Sequence, residues 1–512
     1  MTARAAAARP VPIGGAALTF ADLASIAAGA PIALAPEAAA RVAPSRALIQ
    51  DVLRRGDAVY GVNTGFGALK SVRVGEEDVA ALQVNLLRSH AAGFGPELEP
   101  AAVRLMLALR AHSLALGASG VRLDLIERLV AMHAKDVLPV VPSRGSLGAS
   151  GDLIPLAHLA LAVIGEGEAR RQGLLAPAAE QLRAAGLDPL ALEAKEGLAL
   201  INGTQAASAL GVLAVLEAAE TLRAAHAACA LSVEAMRGSA KPFDARVHAL
   251  RPHAGQAASA SAVRRLLEGS GIVASHRDCG RVQDPYSLRC APQVLGASIQ
   301  AVAYARDVLA TEVNSVTDNP LCFAESGEVV SAGNFHGQPV AQALDFLAIG
   351  MAEAGSIAER RTYLLLDPSK SGLPAFLSPD PGLRSGLMIV QYLQAALVAE
   401  NRMLAQPASV DSIPTSAGQE DHVSMAMHAA VKALALVRNV RRVVAAELLA
   451  AAQGIEFLRP LRSSGPLETL HAALRERVPA LDLDRRQDVD LARLDAWIAE
   501  GGVSQAAGVE TF

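Results

Sequence analysis

The amino-acid sequence predicts an all-α protein with a long central helical bundle and a smaller N-terminal helical domain. Apolar residues recur at three- and four-residue spacing, which is the spacing of one helix face, in the segments 79–87, 101–116, 123–134 and 153–164. Longer segments without proline follow at 204–241, 294–317 and 415–459. Because proline kinks or ends a helix, these segments predict helices well beyond the usual length, packed lengthwise in a bundle.

The chain changes character near residue 200. Before this point, short predicted helices are joined by loops rich in glycine and proline, and after it the long helices begin. Beyond Pro460 the connections are rich in aspartate and arginine. We therefore predict three domains, comprising residues 1–200, 201–460 and 461–512.

Composition and charge exclude several classes of protein. With 512 residues, 52% of them hydrophobic, and a net charge of −5, the chain can bury a large core and has no basic surface that would indicate nucleic-acid binding. The uncharged run 197–216 is long enough to cross a membrane, but Asn202 to Gln205 interrupt it, so we predict a buried helix and no membrane span. The Ala/Arg-rich run Met1 to Pro12 is predicted to be a frayed tail.

The cysteines and histidines indicate neither a disulfide framework nor a metal site. Four cysteines (Cys229, Cys279, Cys290 and Cys322) form no C-x-x-C pair, which favours free thiols in a reducing, cytoplasmic environment. The twelve histidines include no H-E-x-x-H spacing, so no metal is predicted.

The segment Gly148 to Asp152 carries the residues needed to make an electrophile from the backbone. The amide nitrogen of Gly151 can attack the carbonyl of Ala149, and loss of water from the ring and from Ser150 leaves a methylene conjugated to an imidazolone. Glycine permits the close backbone approach. The alternatives are an ordinary tight turn entering a helix, or a serine-hydrolase elbow, for which the second spacer residue is missing.

The stretch from Val141 to Leu159 resembles the signature of the histidine and aromatic amino acid ammonia-lyases. In that family the Ala-Ser-Gly tripeptide becomes the methylidene-imidazolone (MIO) group, and the resemblance extends from about Leu18 to Leu474 with the same motifs in the same order. It implies an MIO cofactor formed from Ala149, Ser150 and Gly151, without a metal or nucleotide. It also implies a homotetramer in which each active site is assembled from three subunits.

The family pattern places its catalytic tyrosine at the motif Val59 to Gly67, so Tyr60 is the candidate base. An ordinary phenol has a pKa near ~10, and forming phenolate at pH 7 costs about 4 kcal/mol. We therefore expect the pKa of Tyr60 to be lowered. A buried tyrosine with an ordinary hydrogen bond is the alternative.

Three further motifs match the family's substrate pocket. Asn202 would hold polar atoms of the ring or substrate, and Phe335 would supply an apolar wall. In the segment Gln283 to Cys290, the resemblance implies that Gln283, Tyr286 and Arg289 bind the substrate, with Arg289 clamping its carboxylate in a bidentate fork.

Ser89, His90 and Glu420 indicate the substrate. The pair Ser89-His90 resembles the histidine-specific members, and Glu420 would accept a hydrogen bond from an imidazole N–H, which implies L-histidine as substrate and trans-urocanate as product. Gly418 departs from the bacterial pattern, which has asparagine there, and a wider, less selective pocket is expected. Phenylalanine or tyrosine ammonia-lyase, aminomutase and a non-enzymatic helical scaffold remain alternatives. No function is predicted for the loop 367–374.

Overall fold

The computed structural model describes residues 9–276, 280 and 282–510, and it is predominantly α-helical, which confirms the predicted fold class. The α-helices, in chain order, are α1 (Phe20–Ala27), α2 (Ala38–Arg55), α3 (Val79–His90), α4 (Pro100–Ala115), α5 (Leu123–Ala134), α6 (Leu153–Val163), α7 (Ala178–Ala184), α8 (Glu196–Ile201), α9 (Gln205–Ala235), α10 (Ala245–Ala249), α11 (Ala254–Leu267), α12 (Gly271–Ala274), α13 (Tyr286–Arg289), α14 (Ala291–Glu312), α15 (Gln338–Leu366), α16 (Pro368–Ser371), α17 (Met388–Leu404), α18 (Ala426–Glu456), α19 (Gly465–Arg477), α20 (Gln487–Ala499) and α21 (Gly502–Ala507).

Short strands, which the periodicity did not predict, accompany the helices. They are β1 (Val11–Ile13), β2 (Ile32–Leu34), β3 (Phe94–Glu97), β4 (Leu138–Pro139), β5 (Pro142–Arg144), β6 (Glu168–Arg171), β7 (Leu174–Pro177), β8 (Leu321–Phe323) and β9 (Glu328–Val330). β1 pairs with β2 in parallel, whereas β3–β5, β4–β6–β7 and β8–β9 are antiparallel. Strands of two to four residues are too short to produce a recognisable alternation of apolar and polar residues.

The long proline-free segments form long helices. α9 and α18 have 31 residues each and α14 has 22. The 29-residue helix α15 was not singled out from the sequence, because Pro339 lies at its start. A proline in the first turn is tolerated, since the N–H that it lacks would have no partner within the helix.

The prediction of a frayed N-terminal tail is wrong at its end. Val11 pairs with Ile32 in β1 and β2, and both Val11 and Ile13 are buried. These two apolar side chains alternate with the exposed Pro12, which gives the short strand one buried face. Residues 1–8 of the predicted tail, like Cys279, lie outside the described residues.

The prediction of one buried helix at 197–216 is only partly correct. The segment is buried, but α8 ends at Ile201 and α9 begins at Gln205. Among the described residues, α9 and α15 are long and apolar enough to cross a membrane by length and composition alone, yet 78% and 61% of their most apolar windows are buried inside the protein. Core helices of water-soluble proteins meet the same criterion.

The chain forms two compact units, each built from separate stretches of sequence. The first comprises Met1–Leu213, Arg306–Asp345 and Pro407–Val431, and the second comprises Ala214–Ala305, Phe346–Gln406 and Lys432–Phe512. The three contiguous domains predicted from the sequence are a different division and remain a prediction.

In the first unit, helix packing positions the segment that follows Gly148. α3, α6 and α8 pack on one another, and α4 packs against α1 and α5. α4 is buried on nearly every side, and its buried residues include Arg110 and His112. The tripeptide 149–151 lies just before α6, so it is attached to the packed interior of this unit.

In the second unit, a buried ion pair joins two of the long helices. Arg361 on α15 and Glu447 on α18 are both fully buried, and Arg361 Nη2 donates to Glu447 Oε2 at 2.8 Å. Ser232 on α9 donates to the same carboxylate at 2.7 Å. A buried charge needs such partners, because it has lost its hydration.

Replacing Glu447 by glutamine should lower the free energy of unfolding by about 3–5 kcal/mol, because it leaves the buried Arg361 guanidinium without a countercharge. Urea unfolding measures this change. Asp488→Asn, at the exposed pair of Arg486 and Asp488, is the control and should leave stability unchanged within error. Equal losses in the two variants would contradict the prediction.

Candidate active site

The segment 148–151 forms a tight turn with an unusual backbone. Gly148, Ser150 and Gly151 have positive φ angles of 86°, 52° and 79°. A Cβ on Gly148 would lie 2.2 Å from Ser424 Oγ, and one on Gly151 would lie 2.3 Å from the carbonyl oxygen of Gly203. Only glycine fits these two positions, so the turn is held in a compact form that excludes side chains.

The residues between α8 and α9 hold this turn in place. Asn202 is buried, and its Nδ2 donates to the carbonyl oxygen of Ser150 at 2.8 Å. The amide of Asp152 donates to the carbonyl oxygen of Gly203 at 2.7 Å. The break after Ile201 therefore has a role, since it exposes the side chain and backbone of Asn202 and Gly203 to the turn.

Asp152 fixes the end of the turn where α6 begins. Its carboxylate is buried and accepts from the amide of Ala207, in the first turn of α9, at 2.8 Å and from Ser146 Oγ at 3.3 Å. Burial raises the pKa of Asp152 to about 6, although these hydrogen bonds act in the opposite direction. The sequence motif included Asp152, but nothing in the sequence indicated its burial.

The turn opens into a pocket of about 630 Å³ that brings together several predicted site residues. The predicted residues that line it are Tyr60, Ala149, Ser150, Phe335 and Glu420. They come from remote segments of the first unit. The polar residues Lys70, Asn319, Gln419 and His422 line the same pocket and were not singled out from the sequence.

Glu420 lies against the turn. Ser150 Oγ donates to Glu420 Oε1 at 3.4 Å, and Thr415 Oγ1 donates to Glu420 Oε2 at 2.7 Å. The amide of Thr415 also donates to the carbonyl oxygen of Glu420 at 2.9 Å, which closes a short loop. The carboxylate is thus oriented toward Ser150 by its own loop.

Gly418, which was expected to leave a wider pocket, lies within that loop next to the pocket-lining Gln419. It is not among the pocket-lining residues, and a Cβ built on it meets no atom within 4 Å. Its φ angle of 83° is left-handed and follows two further left-handed residues, Ser416 and Ala417. Glycine at 418 therefore suits the left-handed backbone of the loop, and the wider, less selective pocket remains a prediction.

Ser89 and His90 line a smaller cavity of about 290 Å³ on another side of the turn, together with Ala149, Gly151 and Glu420. His90 ends α3, and its Nδ1 lies 2.9 Å from the carbonyl oxygen of Leu86 and 3.0 Å from Ser89 Oγ. Burial lowers the pKa of His90, which favours a neutral imidazole at neutral pH.

The expected lowering of the Tyr60 pKa is wrong for this chain. Burial raises the pKa of Tyr60, and the negative charge of Glu420 adds to the increase, whereas a backbone hydrogen bond with Gly67 opposes it. The ring of Tyr60 also packs edge-on against Phe66, with 6.3 Å between the ring centroids. An apolar, acidic environment disfavours phenolate, and the sequence motif alone does not reveal that environment.

Gln283, Tyr286 and Arg289 lie in the second unit, where they line a pocket of about 430 Å³. The guanidinium carbon of Arg289 lies 4.4 Å from the centre of the Tyr286 ring, and its Nε is buried without a hydrogen-bond partner among the described residues. Ser369 and Lys370, from the loop for which no function was predicted, line the same pocket. This segment therefore combines cationic and amide groups.

Sequence reasoning missed a pair of stacked histidines in the larger pocket. The rings of His336 and His422 are nearly parallel, at 2°, with centroids 5.9 Å apart, and His336 Nε2 lies 3.3 Å from the carbonyl oxygen of His422. Lys70 likewise donates to the side chain of Gln419. Both contacts join residues that are far apart in the sequence, and no local pattern indicates them.

The chain is similar to known proteins over nearly its whole length. Residues 18–476 match the family model described as aromatic amino acid lyase. A histidine ammonia-lyase of Sorangium cellulosum is 53% identical over 502 residues, which cover 96% of this chain and 98% of the relative. Among solved structures, a histidine ammonia-lyase from Trypanosoma cruzi has a TM-score of 0.91 at 42% identity, covering 98% of this chain and 95% of that one. A tyrosine aminomutase from Streptomyces globisporus has a TM-score of 0.93 at 37% identity, covering 98% and 99%.

The chain presents an Ala-Ser-Gly turn to a pocket with a tyrosine and a carboxylate, and its similarity to ammonia-lyases identifies it as a carbon–nitrogen lyase. The matches over nearly the whole chain identify the group of enzymes within that class. The chain belongs to the aromatic amino acid lyase family, which confirms the resemblance found in the sequence.

Gly151→Ala should destabilise the protein more than Gly173→Ala. Both glycines have a φ angle near 80°, so each substitution carries the left-handed backbone penalty of about 1–2 kcal/mol. Only the Cβ at position 151 also meets the carbonyl of Gly203, whereas a Cβ at position 173 meets nothing within 4 Å. Thermal unfolding measures the difference, and equal losses of stability would show that the turn tolerates a side chain.

Proposed function

We propose that the chain is a histidine ammonia-lyase, which eliminates ammonia from L-histidine without oxidation and releases trans-urocanate. The observation that carries this proposal is the turn 148–151, whose positive φ angles and excluded side chains accompany a hydrogen bond from Asn202 to Ser150. A helical scaffold without activity has no need of such a turn facing a polar pocket.

The residues of the turn fit an MIO group formed from Ala149, Ser150 and Gly151. Gly151 has no side chain to obstruct ring closure, and Ser150 supplies the β-hydroxyl that must leave. Asn202 is placed to hold a carbonyl oxygen with its Nδ2, and its Oδ1 is buried without a partner among the described residues. When formed, the group supplies an electrophilic methylene, an electron sink that ordinary side chains do not offer.

Tyr60 is proposed as the base that removes the β-proton of the substrate. Its hydroxyl belongs to the same pocket as Ser150, and burial keeps bulk water from competing for the proton. The phenolate form of Tyr60 is disfavoured in this chain. The active base therefore forms either at higher pH or when positive charges from other subunits of the proposed homotetramer lie near Tyr60. Phe335 supplies an apolar wall of the pocket.

Glu420 is proposed to select histidine. Its carboxylate lies beside Ser150 and borders both cavities, where it can accept a hydrogen bond from an imidazole N–H. Ser89 and His90 add polar groups to the wall of the smaller cavity. A pocket built to bond a polar ring rejects an apolar ring, because its own buried groups would otherwise lose their partners.

Arg289 is proposed to bind the substrate carboxylate, with Gln283 and Tyr286 beside it. An arginine fork pairs with a carboxylate in a bidentate manner, and the Nε of Arg289 has no partner among the described residues. We propose that these residues act in the active site of another copy of the chain, within a homotetramer that functions in the cytoplasm. The family resemblance supports this arrangement.

Intact-mass measurement tests the modified turn. The purified protein should be lighter than its encoded sequence by two water molecules, because ring closure and loss of the Ser150 hydroxyl each release one. Ser150→Ala should have its full encoded mass and no lyase activity. Ser143→Ala, which removes a nearby hydroxyl outside the turn, should behave like the wild type, and an unmodified but fully active wild type would overturn the proposal.

Tyr60→Phe should retain the two-water mass loss and lose almost all turnover. In the wild type, kcat/KM should rise with pH between 7 and 9, by about tenfold per unit where phenolate formation is limiting, since the pKa of Tyr60 is raised above its ordinary value of about 10. A pH-independent rate, or wild-type turnover in Tyr60→Phe, would exclude Tyr60 as the base.

Steady-state rates on L-histidine, L-phenylalanine and L-tyrosine test the substrate. We expect a preference for histidine of up to ~10⁴ in kcat/KM. Glu420→Ala should reduce that preference sharply, and Glu420→Gln, which keeps an oxygen acceptor, should reduce it less. A preference for tyrosine, or formation of a β-amino acid, would instead favour the phenylalanine/tyrosine or aminomutase alternatives.

A further inference from the structure

A buried arginine lies directly behind the residues that hold the turn. Arg110 on α4 is fully buried in the first unit. Its Nη1 donates to the carbonyl oxygen of Asn202 at 2.6 Å and to Gln205 Oε1 at 3.1 Å, and its Nη2 donates to Ser113 Oγ at 3.3 Å. Its strongest hydrogen bond by distance is therefore the one to the backbone of Asn202.

The guanidinium of Arg110 is a buried cation whose hydrogen-bond acceptors are all uncharged. The described residues offer it no salt bridge, and its acceptors are a carbonyl, an amide oxygen and a hydroxyl. Asp318 is close enough to act on its charge, but the carboxylate of Asp318 is bonded to Lys195 Nζ at 2.7 Å. Burial lowers the pKa of Arg110 to about 10, so the group still carries its charge at neutral pH.

The surroundings are shaped to allow this contact. A Cβ on Gly203, whose φ angle is 148°, would lie 2.8 Å from Arg110 Nη1 and 2.5 Å from Gln205 Oε1. Gln205 is in turn oriented by its Nε2, which donates to Thr317 Oγ1 at 2.8 Å. The absent side chain at Gly203 thus lets one short segment contact Arg110 on one side and the turn on the other.

A role in stability alone does not account for this arrangement. A buried charge without an ion pair is unfavourable, and an apolar side chain of similar size often stabilises a core equally well. The two shorter hydrogen bonds of Arg110, both from Nη1, are instead made to Asn202 and Gln205, and only the longer one, from Nη2, goes to Ser113 on its own helix. The side chain of the same residue, Asn202, reaches the turn, where its Nδ2 donates to the carbonyl oxygen of Ser150.

We propose that Arg110 is a positioning residue for the lyase reaction. It fixes the backbone carbonyl of Asn202, so that the side-chain amide of Asn202 holds the Ser150 carbonyl in its reactive position. The inference rests on the proposed function. Arg110 does not contact the substrate or Ser150 itself and acts through Asn202. Its two donor contacts, to the Asn202 carbonyl and to Gln205, restrain the backbone from which the Asn202 side chain projects.

Arg110→Lys keeps the charge but removes the planar set of donors, so it separates positioning from simple burial. We measure kcat per subunit that carries the two-water mass loss. In Arg110→Lys we expect this kcat to fall about tenfold, which is a typical effect of removing support from a functional side chain. KM should stay unchanged within about twofold. Ser113→Ala removes a contact on the other side of the same guanidinium and is the matched control, expected to keep the wild-type kcat and KM.

A double-mutant cycle makes the test specific for Asn202. In an Asn202→Ala background, Arg110→Lys should reduce kcat by less than about twofold, because the residue through which it acts is gone. The same tenfold loss in that background, or wild-type kcat and mass loss in Arg110→Lys alone, would overturn the inference.

Two further outcomes are also decisive. If Arg110→Lys does not fold, as judged by circular dichroism and thermal unfolding, Arg110→Gln takes its place with the same expectations, and failure of both to fold would overturn the inference in favour of a purely structural role. A wild-type protein with no mass loss and no turnover of histidine would refute the proposed function itself, whatever the Arg110 variants do.

Discussion

The contact between the segment Asn202-Gly203 and the turn at Ser150 is the constraint on which the site depends. Two hydrogen bonds, from Asn202 Nδ2 to Ser150 and from Asp152 to Gly203, join segments some fifty residues apart in the sequence. Helix α8 has to end before Gly203 for the Gly203 carbonyl to accept from Asp152, because a continuous helix would use that carbonyl internally. The break between α8 and α9 is therefore part of the site, and the packing of α3, α6 and α8 maintains it.

Burial has opposite consequences for different groups around this contact. It raises the pKa of Asp152 and of Tyr60 and lowers that of His90, since in each case the charged form has lost hydration. For these three groups, burial thus favours the neutral form. Arg289, the arginine predicted to bind the substrate carboxylate, belongs to the second unit.

Much of the fold and part of the site could be predicted from the sequence, for identifiable reasons. The spacing of prolines predicted α9, α14 and α18, because proline acts locally on the helix that contains it. The small residues at 148–151 predicted a backbone that excludes side chains. The raised pKa of Tyr60, the role of Arg110 and the stacking of His336 on His422 depend on which remote segments meet, and no local pattern encodes those meetings.

The position of Glu420 has a consequence for altering the enzyme. One carboxylate forms part of the wall of two cavities, of about 630 Å³ and about 290 Å³, that lie on different sides of the same turn. Shortening this side chain removes atoms from the wall of both cavities and so enlarges the room beside Ser150. A variant that accepts bulkier amino acids is therefore better sought by substituting Glu420 than by substituting Gly148 or Gly151, because a side chain at either glycine would clash with its neighbours.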